Sequence, residues 1–281
     1  MNMEAIGRKI SALRKERDMT QVELADRLGV TFQAVSSWER GNSMPDIAKL
    51  PDISQVLAVS IDELLGDAKA SILVKNVLTG QGFSQSLPDM ETVADIAPIL
   101  KPSQVENLVG VSNVDDMNAI LEIAHHLSSE TLKDIILSCK DVVGDILTNI
   151  ACYFDSQDLK EIALHCSNVN SDIIVNIACY MDSEDLKEVA LHCDYITGDT
   201  ITQIACYLDS QDLKEIVVRG NYDTHTISNI ACHMDSDDLA EIAVQLVKNH
   251  GIKALTNSGI VIYMDEEDIA EAIKSALQRN G

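Results

Sequence analysis

Apolar positions recur at helical spacing along nearly the whole chain, and the breaks fall at residues that start or stop helices. Ile6, Ile10 and Leu13 share one side of residues 4–17, which predicts a first helix that breaks at Met19 and Thr20. Thr20 and Glu23 stand in the capping-box relation around Val22, Leu24, Ala25 and Leu28, and Gly29 closes this second helix. Thr31 caps a third stretch, FQAVSSWER, which Gly41 ends. Two short helices thus meet through a tight turn that contains glycine. Val35 and Trp38, like Leu24 and Ala25, fall on the inward side of the periodicity and are expected in the core. Pro51 suits a first helical position, so a helix is expected to begin there after a single turn at 47–50. Residues 68–79 predict one more helix, ended by Gly80, and GQGFSQS then reads as a flexible linker.

From Leu87 onward the pattern repeats itself. The clearest copies are IACYFDSQDLKEIALHC at 150–166, IACYMDSEDLKEVALHC at 177–193, IACYLDSQDLKEIVVRG at 204–220 and IACHMDSDDLAEIAVQL at 230–246. The first two agree at 14 of 17 positions. With the leading Ile as anchor, weaker copies start at Ile96, Ile123 and Ile260, giving seven units at intervals of 27, 27, 27, 27, 26 and 30. Each unit predicts two short antiparallel helices. In residues 172–181 Ile173, Ile174, Ile177, Ala178 and Met181 fall on one face, so an amphipathic helix A is expected over this stretch. Asp182 then caps helix B, whose inner stripe is Leu186, Val189, Ala190 and Cys193. One such pair cannot bury its stripe alone, so neighbours must stack into an α-solenoid. The expected fold is all-α: a five-helix domain at 1–66, a helix and linker at 67–86, and about seven two-helix repeats at 87–281.

Charge divides the chain in the same place. The net charge is −24, but residues 1–66 hold eight Lys or Arg and ten Asp or Glu, whereas 67–281 hold thirteen and thirty-five. A domain that acidic repels phosphate, so any contact with nucleic acid is expected from the first part. Arg8, Lys9, Arg14, Lys15 and Arg17 interrupt the N-terminal apolar stretches, and no run of 18 apolar residues occurs, so the sequence reads as cytoplasmic with no membrane association. The seven cysteines are odd in number and follow the repeat, which predicts reduced thiols rather than a disulfide framework.

Three recurring features invite a chemical reading. The Asp pairs 155/158, 182/185, 209/212, 235/238 and 265/268 lack the loop and glycine of a calcium site, and helix capping accounts for them. The columns Cys152, Cys179, Cys206 and Cys232, with His165-Cys166 and His192-Cys193, lack the pairing that closes a zinc site, so these thiols are expected as small apolar groups at repeat contacts. The third feature is a set of pairs four residues apart: Asn149 and Tyr153, Asn176 and Tyr180, Gln203 and Tyr207, Asn229 and His233. They either pad the seam between repeats or form two columns that grip an extended backbone, for which amides and phenols suit. These eight residues are the candidate ligand or partner site. No phosphate loop, nucleophile elbow or metal motif occurs, so neither enzyme activity nor a cofactor is expected.

The spacing TQxELAxxLGVxxQAVSxWERG, followed by PDI and VSIDELLG, resembles the Cro/repressor (XRE) family of helix-turn-helix regulators over residues 4–66. That resemblance implies a bacterial regulator that binds double-stranded DNA, with residues 31–40 as its recognition helix. It implies that Phe32, Gln33, Ser36 and Ser37 face the major groove, with Thr31 at the start of that helix and Arg40 and Asn42 near the backbone. Gln21 matches the family position that bonds a phosphate, helped by helix N-terminal N–H groups. Arg14 and Glu39 match a family ion pair that ties the first helix to the recognition helix. An amide such as Gln33 can also bond adenine N6 and N7 together, which makes it the foremost base-reading candidate.

The repeats resemble a compact HEAT-type array, although 27 residues is short for that class. The whole arrangement resembles the peptide-pheromone-sensing regulators, which join the same DNA-binding domain to tetratricopeptide repeats that hold a short peptide. The expected function is therefore sequence-specific transcriptional regulation by a homodimer whose repeat domain senses a peptide or protein partner. The alternative is an interaction scaffold or antitoxin-like protein that captures a basic partner and binds DNA for autoregulation.

Overall fold

The computed structural model describes residues 3–80, 87–112, 114, 116–139, 144–166, 169–220 and 222–278. The linker expected after Gly80 lies, from 81 to 86, outside them. Among the described residues every regular element is a helix. They cluster into two compact units, Met1–Leu132 and Lys133–Gly281.

The first unit opens with α1 (Met3–Glu16), α2 (Gln21–Leu28), α3 (Phe32–Glu39), a 3-10 turn at Ile47–Lys49, α4 (Leu50–Val56) and α5 (Ile61–Leu65). Pro51 lies in the first turn of α4, as its missing N–H allows. Ile10, Leu24, Val35, Ile47, Leu50 and Ile53 are fully buried where α1 packs on α3 and α2 packs on α3 and α4. The closeness of α1 to α3 depends on Gly7, where a β-carbon would lie 2.1 Å from the Trp38 carbonyl oxygen. Next, α6 (Ala68–Thr79) packs on α5 and on α7 (Met90–Ile96). Lys75 Nζ bonds both Asp62 carboxylate oxygens at 2.7 Å, and Lys69 Nζ bonds Asp89 at 3.2 Å, so ion pairs fix α6 on both sides.

The repeats are α7 with α8 (Pro102–Val109), α9 (Met117–Ile123) with α10 (Ser129–Ser138), α11 (Gly144–Ile150) with α12 (Ser156–His165), α13 (Ser171–Ile177) with α14 (Ser183–His192), α15 (Gly198–Ile204) with α16 (Ser210–Gly220), α17 (Thr224–Ile230) with α18 (Ser236–His250), and α19 (Ile252–Ser258) with α20 (Glu266–Gln278). Seven helix pairs thus match the seven units of the sequence pattern. Within the second unit like packs on like, α11 to α13 to α15 to α17 to α19 in one row and α12 to α14 to α16 to α18 to α20 in the other. The buried stripes agree with the periodicity: Ile173, Ile174, Ile177 and Ala178 in helix A, Leu186 and Val189 in helix B.

Three expectations are corrected. Helix A does not continue to Met181: it ends at Ile177 and tightens into a 3-10 turn at Ala178–Tyr180. The same turn recurs at Ala151–Tyr153, Ala205–Tyr207 and Ala231–His233. It closes with the Met181 N–H on the Ala178 carbonyl at 3.1 Å, after which Met181 is extended. A tighter last turn lets one extended residue carry the chain into the cap of helix B.

Capping also does not account for both members of each Asp pair. Asp155 does cap α12 through the Asp158 N–H at 2.8 Å, but Asp182 and Asp235 make no side-chain cap bond. The second Asp instead links repeats. Asp185 accepts from Ser156 Oγ at 2.5 Å and from Lys160 Nζ at 2.7 Å, both one repeat earlier, while Ser156 Oγ accepts from the Asp182 N–H at 2.8 Å. Lys160 also reaches Glu188 at 3.0 Å. The arrangement recurs with Ser183, Lys187, Asp212 and Glu215, and with Ser210, Lys214, Asp238 and Glu241.

The third correction concerns the thiols. Cys152, Cys179, Cys206 and Cys232 are exposed rather than packed at repeat contacts, because each sits on the outer side of its 3-10 turn while the preceding Ala is buried.

Candidate nucleic-acid interface

The turn between α2 and α3 is built by its caps. Thr20 Oγ1 accepts from the Glu23 N–H at 3.1 Å and Glu23 Oε2 accepts from the Thr20 N–H at 2.7 Å, closing the capping box. These bonds hold the Glu23 carboxyl below its ordinary range. Gly29 ends α2 in the left-handed region at φ 64, a conformation costly for residues with a β-carbon. Two residues later Thr31 Oγ1 accepts from the Ala34 N–H at 3.2 Å, starting α3.

One buried carboxylate sets how α1, α2 and α3 meet. Arg14 Nε and Nη2 bond Glu39 Oε1 and Oε2 at 2.5 and 2.9 Å, and Arg14 Nη1 also bonds the Met19 carbonyl. Ser11 Oγ donates to the same carboxylate at 3.0 Å and Gln21 Nε2 at 2.8 Å. The Arg14 and Glu39 side chains are only 9% and 6% exposed. Burial pushes the Glu39 carboxyl up, but the bonds from Arg14, Gln21 and Ser11 outweigh it and hold the group low. The hydrogen bond to Glu39 in turn raises the Arg14 guanidinium. The pair therefore stays charged and, as a two-point fork, fixes an angle as well as a distance.

The other face of α3 is open. Phe32 is 49% exposed, and Thr31, Gln33, Arg40 and Asn42 are exposed as well. Ser36 and Ser37 are half-buried, and Ser37 Oγ accepts from Ser43 Oγ at 2.8 Å. Val35 and Trp38 are buried behind them. The geometry thus gathers Thr31, Phe32, Gln33, Arg40 and Asn42 on accessible surface, and turns one Gln21 N–H inward onto Glu39. That inward bond was not read from the sequence, since an amide at a helix start has no local mark of a partner 18 residues on.

On the repeats Asn149, Asn176, Gln203 and Asn229 are exposed, as are Tyr153, Tyr180, Tyr207 and His233. The amide lies in the last turn of the α-helix and the ring in the 3-10 turn. Lys160, Lys187 and Lys214, on helix B, are taken up by the bonds between repeats.

Among the described residues no three His, Cys, Asp or Glu gather as a metal site, and no helix is long and apolar enough to cross a membrane.

Residues 10–64 match the helix-turn-helix family HTH_3. The chain is similar to the HTH-type transcriptional activator BcrR of Enterococcus faecalis, with 42% identity over 93 residues, 31% of this chain and 46% of that protein. It therefore spans under half the length of that relative. It is also similar to the uncharacterized HTH-type transcriptional regulator YazB of Bacillus subtilis strain 168, with 41% identity over 64 residues, 23% of this chain and 93% of that protein. Among solved structures, the apo form of the competence regulator ComR from Streptococcus vestibularis aligns over 98% of this chain and 99% of that chain, at 14% identity and a TM-score of 0.23. YazB, at 41% identity and with 93% of its length covered, decides the matter for the N-terminal helices: the chain belongs to the helix-turn-helix family of transcriptional regulators.

Proposed function

We propose that the protein is a sequence-specific transcriptional regulator in which residues 1–66 make the DNA contacts, 67–86 connect, and the repeats at 87–281 receive a peptide or protein partner. The observation that carries this reading is the outward face of α3. Thr31, Phe32, Gln33 and Arg40 are exposed there on a short helix whose inner side is locked by Glu39. In this reading Gln33 and Phe32 read bases with Ser36 and Ser37, while Gln21, Arg40 and Asn42 meet the backbone. The acidic repeats support the division of labour, because they repel phosphate. The protein acts in the cytoplasm as a homodimer on two half-sites, since one domain of this size reads few base pairs.

The test is selection of duplexes from a random pool by the full-length protein. The reading expects an enriched, approximately palindromic sequence with half-sites about one helical turn, roughly 34–36 Å, apart. Recovery of unenriched duplex, or no retained DNA, would overturn it.

A further inference from the structure

The central repeats spend their cations on one another. Residues 144–235 contain four Lys or Arg against sixteen Asp or Glu. Lys160, Lys187 and Lys214 lie between repeats, each held by an Asp and a Glu of the next, and Arg219 pairs with Glu215 at 2.6 Å. Among the described residues of 144–235 every Lys and Arg is thus paired, which leaves none on the exposed side of the 3-10 turns. Three successive repeats carry an amide, a phenol and a carboxylate on that side: Asn149, Tyr153 and Asp155, then Asn176, Tyr180 and Asp182, then Gln203, Tyr207 and Asp209, all exposed, and the next has Asn229, His233 and Asp235. Asp182 stands at the N-cap of α14 yet makes no side-chain cap bond, and Asp235 two repeats on repeats this. Successive turns are in register, because the Asp182 N–H donates to Ser156 Oγ at 2.8 Å and, one repeat on, the Asp209 N–H donates to Ser183 Oγ at 2.7 Å.

We infer that this ribbon holds an extended basic polypeptide segment, its lysines or arginines met by the phenol faces and the Asp carboxylates and its backbone by the amides. The inference rests on the proposed partner-binding role of the repeats and names the partner's charge and conformation. An ammonium or guanidinium is drawn both to an aromatic face and to a carboxylate, and here the two alternate with no competing cation. The spacing also fits. Packed helices lie about 8–10 Å apart and an extended chain advances about 3.3–3.6 Å per residue, so one repeat corresponds to about two to three residues of ligand, three at the wider spacing. A cation at every third position stays in step with the ribbon.

Fluorescence anisotropy with the full-length protein tests this, using four labelled peptides of equal length. One is four tandem Lys-Ser-Ala triplets, the second has the same composition with its lysines contiguous, and in the other two Glu or Gln replaces Lys. The in-step lysine peptide is expected to bind about tenfold tighter than the contiguous one, and the Glu and Gln peptides far more weakly. Tyr180→Leu with Tyr207→Leu, and separately Asp182→Asn with Asp209→Asn, should each weaken it about tenfold. Asp134→Asn with Asp194→Asn, two exposed acids away from the turns, should leave it unchanged. Equal binding of both lysine peptides, equal loss in the Asp134/Asp194 variant, or no binding of any peptide would overturn the inference. Preferential binding of the Glu or Gln peptide would keep a partner on this face while overturning its charge. DNA selection is read on α3 and does not enter this measurement.

Discussion

Gly7 and Trp38 touch through backbone: a β-carbon on Gly7 would sit 2.1 Å from the Trp38 carbonyl oxygen. In an isolated helix, Gly→Ala at an interior position adds about 1 kcal/mol of stability. Here the added methyl must push α1 off α3, and overpacking of this kind costs about 1–3 kcal/mol. Gly7→Ala is therefore expected to lower the denaturation midpoint and, by displacing α3, to weaken DNA binding. A variant as stable as the parent, with unchanged affinity, would show that the contact is not needed.

Glu39 makes an acid-sensitive joint. Its carboxyl is held below its unfolded value of 4.5, so its contribution is present above about that pH and is lost as pH falls through the lower folded value. Glu39→Gln leaves the buried Arg14 without its counter-charge, at an expected cost of about 3–5 kcal/mol. The variant should also show a flatter loss of stability as pH falls below 4.5. Urea titrations at a series of pH values check both. An unchanged acid slope would mean that other carboxylates set it.

Gln33 and Gln21 should fail differently. Gln33→Ala is expected to relax preference at one position of each half-site, costing about 1–3 kcal/mol on the selected duplex and little on random DNA. Gln21→Ala is expected to weaken all duplexes alike. It should also lower stability slightly, because it removes a bond to Glu39. Binding curves on selected and shuffled duplexes separate the two, and equal losses on both for Gln33→Ala would take that residue off the base-reading face.

The junction between the sixth and seventh repeats lacks its lysine rung. Where earlier repeats carry Lys160, Lys187 and Lys214, the sixth carries Ala240, although Asp268 still accepts from Ser236 across that junction. Ala240→Lys should complete it with Asp268 and Glu271. The gain is expected at about 0.2–1 kcal/mol, as for partly exposed pairs, and should shrink in high salt. Differential scanning calorimetry at two salt concentrations checks this. A lower melting temperature in low salt would contradict the assignment of the lysine to the junction.

What the sequence made legible were features with a local cause. Thr20, Glu23, Gly29, Thr31 and Pro51 each act within four residues of themselves, and the cap bonds are where their spacing put them. Repeat register was legible too, since Ile anchors at 27-residue intervals leave little choice of pairing. The links between Ser156, Lys160, Asp185 and Glu188 were not. Each of these residues has a sufficient local explanation as a cap or a solvated helix position, so nothing in one repeat points to the next. The break after Ile177 was hidden for a related reason: Ala178 and Met181 keep apolar spacing whether the last turn is α or 3-10. At the candidate nucleic-acid face the sequence separated inward from outward residues, but nothing local to Gly7 marks its backbone contact with Trp38, 31 residues on.

The Ser and Lys of each repeat reach forward, and its Asp and Glu receive from behind. The units that start at 150, 177 and 204 therefore carry both halves of the same joint, and each fits a copy of itself. Excising residues 178–204, one whole period, would rejoin a forward-reaching Ser156 and Lys160 to the receiving Asp212 and Glu215 with no new chemistry at the seam. A gene encoding such a chain can lengthen or shorten by unequal exchange between its own near-identical segments and still specify a closed, ordered array. Gain or loss of one unit then changes how long a surface the protein offers, while leaving untouched the N-terminal helices that face DNA.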